Sequence, residues 1–377
     1  MINFQESEYK GRVKRIRELM DEKGLDVLFV YSDMRPIGGG SAYYISGYYT
    51  TLPTLVLLPI DKEPSLLVSP GIAQSSFEQA KRESWIQDVR AGSDYAKLAK
   101  EVLDERNLTK ATIGIDGTNI MDATTFQRFY KEFPEAIIVN RLVEKVRFVK
   151  SLKEIEWIKE AVRLTDLGYE TFVDAIKPGR RQQEAQAEAA YKAIVAGAEE
   201  TYNPMAAGRP WVWASYRGSL VFQEGDMISA EFNARYKGYW GQLCRTRVLG
   251  KASKEQSEVY EVALEASEEM IKNIRPGVDG EQLWRIGMEV IKEAGFEYSG
   301  LRFGHGLGLS ISEGFNIIPG EKTKLEPGCY VMVHPSIFSP ELASRGIGVI
   351  IGDPVIVTET GCERLSKYTK ELQIEAK

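Results

Sequence analysis

The spacing of apolar residues changes character near residue 150, and that change divides the chain. Before it, strands alternate with helices. Val13, Ile16, Leu19 and Met20 recur at helical spacing and Gly24 closes that helix. Residues 26–31 read as a buried strand, and 54–59 with 65–68 as a hairpin across Asp61-Lys62-Glu63-Pro64. Residues 34–41, with three consecutive glycines, read as a loop. Helices are expected over 71–83, 95–107 and 123–133, and strands over 112–116 and 136–139. Such alternation means an α/β layered domain. After residue 150 the pattern differs. Ser151 and Glu154 form a capping box that opens a long helix, ended by Pro178-Gly179. A second helix covers 182–198, and long strands over 227–236 and 238–249 join at Lys237. Helices at 254–275 and 280–294 and further short strands complete an α+β half. The domains are read as 1–143 and 144–377.

Bulk properties exclude several classes. A hydrophobic share of 43% with 27% charged residues is that of a globular protein. Net charge is −6 without a basic run, which argues against nucleic acid. No apolar run approaches the roughly 20 residues that span a bilayer, and no signal peptide is evident, so no membrane partner is expected. Cys244, Cys329 and Cys362, odd in number and far apart, read as reduced thiols in a cytoplasm.

Only two histidines occur in 377 residues. His305 lies in Phe303-Gly304-His305-Gly306-Leu307-Gly308-Leu309, and His334 follows the apolar strand Cys329-Tyr330-Val331-Met332-Val333. Imidazole suits proton transfer and metal binding, and flanking glycine lets backbone approach a ligand closely.

The second half resembles the creatinase/Xaa-Pro peptidase family, the pita-bread fold that includes methionine aminopeptidases. The resemblance rests on an ordered set of pieces. They are residues 144–155, Glu224-Gly225-Asp226-Met227-Ile228-Ser229-Ala230-Glu231-Phe232, Tyr236-Lys237-Gly238-Tyr239, Arg245-Thr246, the stretch around His305, Leu325-Glu326-Pro327-Gly328 and residues 355–363. It implies an α/β N-terminal domain, an α+β pita-bread C-terminal domain and a homodimer. The peptidases of this family hold two divalent metals with two aspartates, a histidine and two glutamates. Carried over, these positions fall on Glu231, Gln242, His305, His334 and Gly352 in turn, and the family's substrate-facing histidine falls on Ser312. At most one of the five is anionic, so two dications would lack the carboxylates that offset and bridge them. Creatinase is the family's metal-free member, yet it has carboxylates where Gln242 and His334 stand, and its catalytic histidine aligns near Ala214.

The sequence therefore leads us to expect a metal-independent, creatinase-like hydrolase of a C–N or amide bond in a small polar substrate. His305 and His334 would divide acid and base work, one neutral and one protonated. Glu231, Gln242, Ser312, Glu313 and Tyr239 would contact substrate, and no metal or cofactor is expected. Trp211, Trp213, Tyr216, Tyr236 and Trp240 would line the pocket, Arg209 or Arg217 could take a carboxylate, and Asp353 could swing into the place beside Gly352. Two alternatives stand beside this reading. One is an Xaa-Pro dipeptidase- or aminopeptidase-like metallohydrolase with a single-ion site of His305, His334 and Glu231. The other is a non-catalytic binding protein.

Overall fold

The computed structural model describes residues 4–213 and 220–374; Ala214, Tyr216 and Arg217 lie outside the described residues. The chain divides into two compact units, Met1–Arg147 and Phe148–Lys377.

In the first unit, six strands form one sheet: β1 (Val27–Ser32), β2 (Thr54–Pro59), β3 (Ser65–Val68), β4 (Asp88–Ala91), β5 (Ile113–Asp116) and β6 (Ile137–Ile138), in the order β4-β3-β2-β1-β5-β6. The β1–β2 and β2–β3 pairs are antiparallel and the others parallel. β1 and β2 are buried along their whole length, as a central strand covered on both faces must be. Phe29, Leu57, Ala99, Phe129 and Phe133 build a core between the sheet and the helices Tyr95–Glu105 and Ala123–Glu132. β4 was not expected. It is only four residues long and half-buried, and every second residue is charged: Asp88 binds Arg90 and Arg106. The glycine-rich loop also ends earlier than read, because the helix Ser41–Ser46 starts at its last residue.

The second unit adds β7 (Glu200–Thr201), β8 (Met205–Ala206), β9 (Met227–Tyr236), β10 (Tyr239–Leu249), β11 (Gly304–Gly306), β12 (Glu313–Asn316), β13 (Tyr330–Val333), β14 (Ser336–Ile337), β15 (Val349–Ile350), β16 (Asp353–Val357), β17 (Cys362–Arg364) and β18 (Gln373–Ile374). One sheet runs β18-β10-β9-β7 with β8 also on β9, and a second runs β12-β11-β13-β16-β17. The helix Leu152–Ala175 starts at the Ser151 capping box. It packs so tightly on β10 that a Cβ at Gly241 would stand 2.5 Å from the backbone of Ala161. Lys237 and Gly238 both take positive φ (49° and 83°), the two-residue turn whose twist suits a hairpin. That turn pairs Tyr236 with Tyr239, and so sets Glu231 opposite Cys244 and Asn233 opposite Gln242.

The two sheets are tied together by Arg245. Its guanidinium is 1% exposed and binds Asp353 Oδ1 at 2.6 Å and the carbonyls of Cys244 and Gly352 at 2.9 and 2.6 Å. Arg364 and Lys370 reach the other carboxylate oxygen of Asp353. This bonding holds the Asp353 carboxyl below the usual range, the nearby cations outweighing a burial that alone would raise it. Removing one member of a buried pair leaves the other uncompensated. Asp353→Asn should therefore lower unfolding free energy by about 3 kcal/mol, read from urea denaturation.

Candidate active site

His305 is on β11 and His334 directly follows β13. Register pairs Gly304 with Val333 and His305 with Met332. His334, two residues beyond Met332, continues the ladder by donating its N–H to Phe303 O at 2.8 Å. Side chains two apart on a strand share a face, so the two imidazoles are diagonal neighbours. Their ring centroids are 5.0 Å apart at 65°. A register shift between His305 and Gly306 interrupts the β11–β12 ladder, the kind of bulge that aims a side chain next to a site.

Both imidazoles are neutral at pH 7. Burial, then the charge of Arg302, pushes His334 down to about 3. Burial first, then Arg302 and His334, pushes His305 well below its ordinary value. This corrects the expected division of labour, since neither ring is protonated to act as an acid. His305 Nδ1 lies 3.1 Å from Gly306 O. A neutral ring donating there leaves Nε2 a lone pair. His334 Nε2 is buried and has no hydrogen-bond partner.

Glu231 and Gln242 share one face of the β9–β10 hairpin. Burial raises the Glu231 carboxyl to about 7, against a smaller opposite pull from Arg302. Gln242 is fully buried, and neither of its amide atoms has a hydrogen-bond partner. Arg302 donates to Ser312 Oγ at 2.8 Å and Asn316 Oδ1 at 3.0 Å. Sequence reasoning gave Arg302 no role; its position three residues before His305 was the available signal.

Other expected residues are placed elsewhere. Tyr239 points to the opposite face from Gln242, where its hydroxyl donates to Glu154 at 2.7 Å; the strand's two-residue alternation already separated odd from even positions. Glu313 is 1% exposed and paired with Lys150 at 2.9 Å, and its other oxygen accepts from Ser310 N. Ser312 holds Arg302. Asp353 is held by Arg245, Arg364 and Lys370. Trp211 stacks with Trp213 and packs at a tilt against Phe338. The Trp240 indole lies under Arg235, and Arg209 is exposed. Burial, with Glu231 nearby, raises the Cys244 thiol well above its ordinary value, so it is inert.

Two divalent ions do not fit this donor set. Among the described residues no three of His, Cys, Asp and Glu gather as an ion site. Gln242 brings no charge, and Arg302 adds a fixed positive one. Position 352 is closed outright: a Cβ there would lie 1.7 Å from Val333 O and 2.6 Å from His334 Cα. Backbone occupies the space a side chain needs. What remains is two neutral imidazoles, a donor pair suited to one transition-metal ion.

A model of the metallopeptidase family M24 matches residues 156–359, and a model of the creatinase/prolidase N-terminal domain matches 12–149. The chain belongs to metallopeptidase family M24, with the two-domain pita-bread architecture, and is thereby a hydrolase by family. It is 28% identical to an Xaa-Pro dipeptidase of Pyrococcus furiosus over 96% of this chain and 99% of that one. It is 30% identical to an uncharacterized peptidase, YqhT, of Bacillus subtilis, over 96% and 99%. The solved Xaa-Pro dipeptidase of Bacillus anthracis superposes with a TM-score of 0.82 at 28% identity, covering 97% and 99%. The prolidase of Pyrococcus horikoshii OT3 gives 0.82 at 25% identity, covering 96% and 99%. These relatives overturn the expectation of a metal-independent, creatinase-like hydrolase: the matching family is one of metallopeptidases, and its named relatives are Xaa-Pro dipeptidases.

Two outcomes follow for the metal-free protein. Gly352→Glu should not restore a ligand but destabilise by about 2 kcal/mol or more, as overpacking does, measured by urea denaturation. For His334, the unfolded chain takes up a proton as pH falls below 6.5, which the folded ring accepts only near 3. Its stabilising effect is therefore full above pH 6.5 and is lost as pH falls toward 3. His334→Gln should flatten the acid side of the stability–pH curve.

Proposed function

We propose that the chain is an Xaa-Pro dipeptidase-like hydrolase of short peptides, working with one divalent ion held by His305 and His334. The observation that carries this reading is the unpartnered, buried Nε2 of His334 beside the neutral ring of His305. Similarity to Xaa-Pro dipeptidases along almost the whole chain supports the substrate class. A bound ion would lower the pKa of a water molecule and polarise the peptide carbonyl. The protein's own groups have separable tasks. Glu231, with its carboxyl near 7, can hold or release a proton at neutral pH. Gln242 offers one donor and one acceptor face to a peptide unit. Arg302 supplies a positive charge for a substrate carboxylate. A small dipeptide substrate, a homodimer and a cytoplasmic site belong to the same reading. Among the described residues no helix is long and apolar enough to cross a membrane.

A second reading, peptide binding without turnover, is favoured by the closed position 352 and the uncharged Gln242. One experiment separates them. Chelated protein is titrated with Mn²⁺, Co²⁺ or Zn²⁺ by calorimetry, and hydrolysis of Xaa-Pro dipeptides is followed in parallel. The first reading predicts one ion per chain and turnover that appears on loading. His305→Ala or His334→Ala should then abolish ion binding and cut turnover by about 100-fold or more. Dipeptide binding with no turnover at any loading would favour the second. Two ions per chain, or turnover indifferent to chelation, would refute the single-ion reading.

A further inference from the structure

The second unit carries another buried arginine, two residues along β10 from Arg245, that forms no ion pair among the described residues. Arg247 is 4% exposed. Its Nη2 donates to Gln373 O at 3.1 Å, while Nε and Nη1 have no hydrogen-bond partner. Arg245 has Asp353 and Arg235 has Glu200, but Arg247 pairs with no carboxylate among the described residues. The hydroxyl of Tyr169, which lies in the field of Arg247, is likewise buried and unpartnered. An isolated buried guanidinium costs several kcal/mol unless an anion compensates it. Arg247 also lines an open cavity of about 960 Å³, together with Lys177, Asp174, Glu371 and Gln373.

We propose that this cavity is a binding site for a small oxyanion, phosphate or carboxylate, received by Arg247 with Lys177 as a second positive charge. Guanidinium is the side chain best matched to such groups, through charge-assisted hydrogen bonds. Asp174 and Glu371 repel further negative charge, so the ligand carries one oxyanion group and not a chain of them. All these residues lie outside the set around His305, and the site stands whatever the ion content there.

The test is thermal unfolding of the full chain in rising inorganic phosphate, or acetate, at constant ionic strength. The wild-type midpoint should climb with at least one of the two probes, since a ligand of the folded state stabilises by mass action. Arg247→Met should need about tenfold more anion for the same shift, and Lys177→Ala should show a smaller loss. His305→Ala should respond as wild type does. No anion-dependent shift in wild type, or an undiminished one in Arg247→Met, overturns the proposal. Should Arg247→Met fail to fold, crystals of wild type soaked in selenate decide it: an anomalous peak at Arg247 supports the site, and its absence refutes it.

Discussion

The second unit depends on Arg245. A planar cation buried to 1% donates to Cys244 O, Gly352 O, Asp353, Thr369 O and Tyr368 O. Those acceptors come from β10, from the start of β16 and from the segment before β18. The backbone bridge between Cys244 and Gly352 lies within this knot. One end of it holds the hairpin face that carries Glu231 and Gln242. The other holds Gly352 against Val333, next to His334. The site is thus assembled by one satisfied ionic network between sheets, and both sides of it are fixed by the same guanidinium.

The candidate site is a set of groups that burial shifts toward their neutral forms around one fixed charge. Two imidazoles are pushed toward the neutral form and a carboxyl is raised to about 7, all in the direction that desolvation dictates. Arg302 strengthens the effect on the rings and opposes it on Glu231. Neutral imidazoles are good ligands and poor acids at pH 7, so protonation alone separates a metal-holding pair from an acid–base pair.

What could be read from the sequence was what local rules determine. The Ser151 capping box, the turn at Lys237 and the long strand pair are short-range patterns, and all three are present. Family membership came from an ordered set of motifs. β4 escaped because it is four residues long with charges at Asp88 and Arg90, whose ion-pair partners Arg106 and Glu105 lie outside the strand. Glu313 escaped because its partner, Lys150, is 163 residues away. The protonation of the histidines was out of reach, since it depends on how completely the second unit buries them. Closure at Gly352 was also invisible: a glycine in a sequence does not say whether the space beside it is empty or filled.

Arg302 gives the candidate site a property that bound ions cannot. A charge carried on a side chain, and anchored by Ser312 and Asn316, does not dissociate, is not competed for by chelators and does not vary with the supply of any metal. Guanidinium also stays charged across the physiological pH range. The attraction of this site for a negatively charged group is therefore built into the chain and present from the moment it folds.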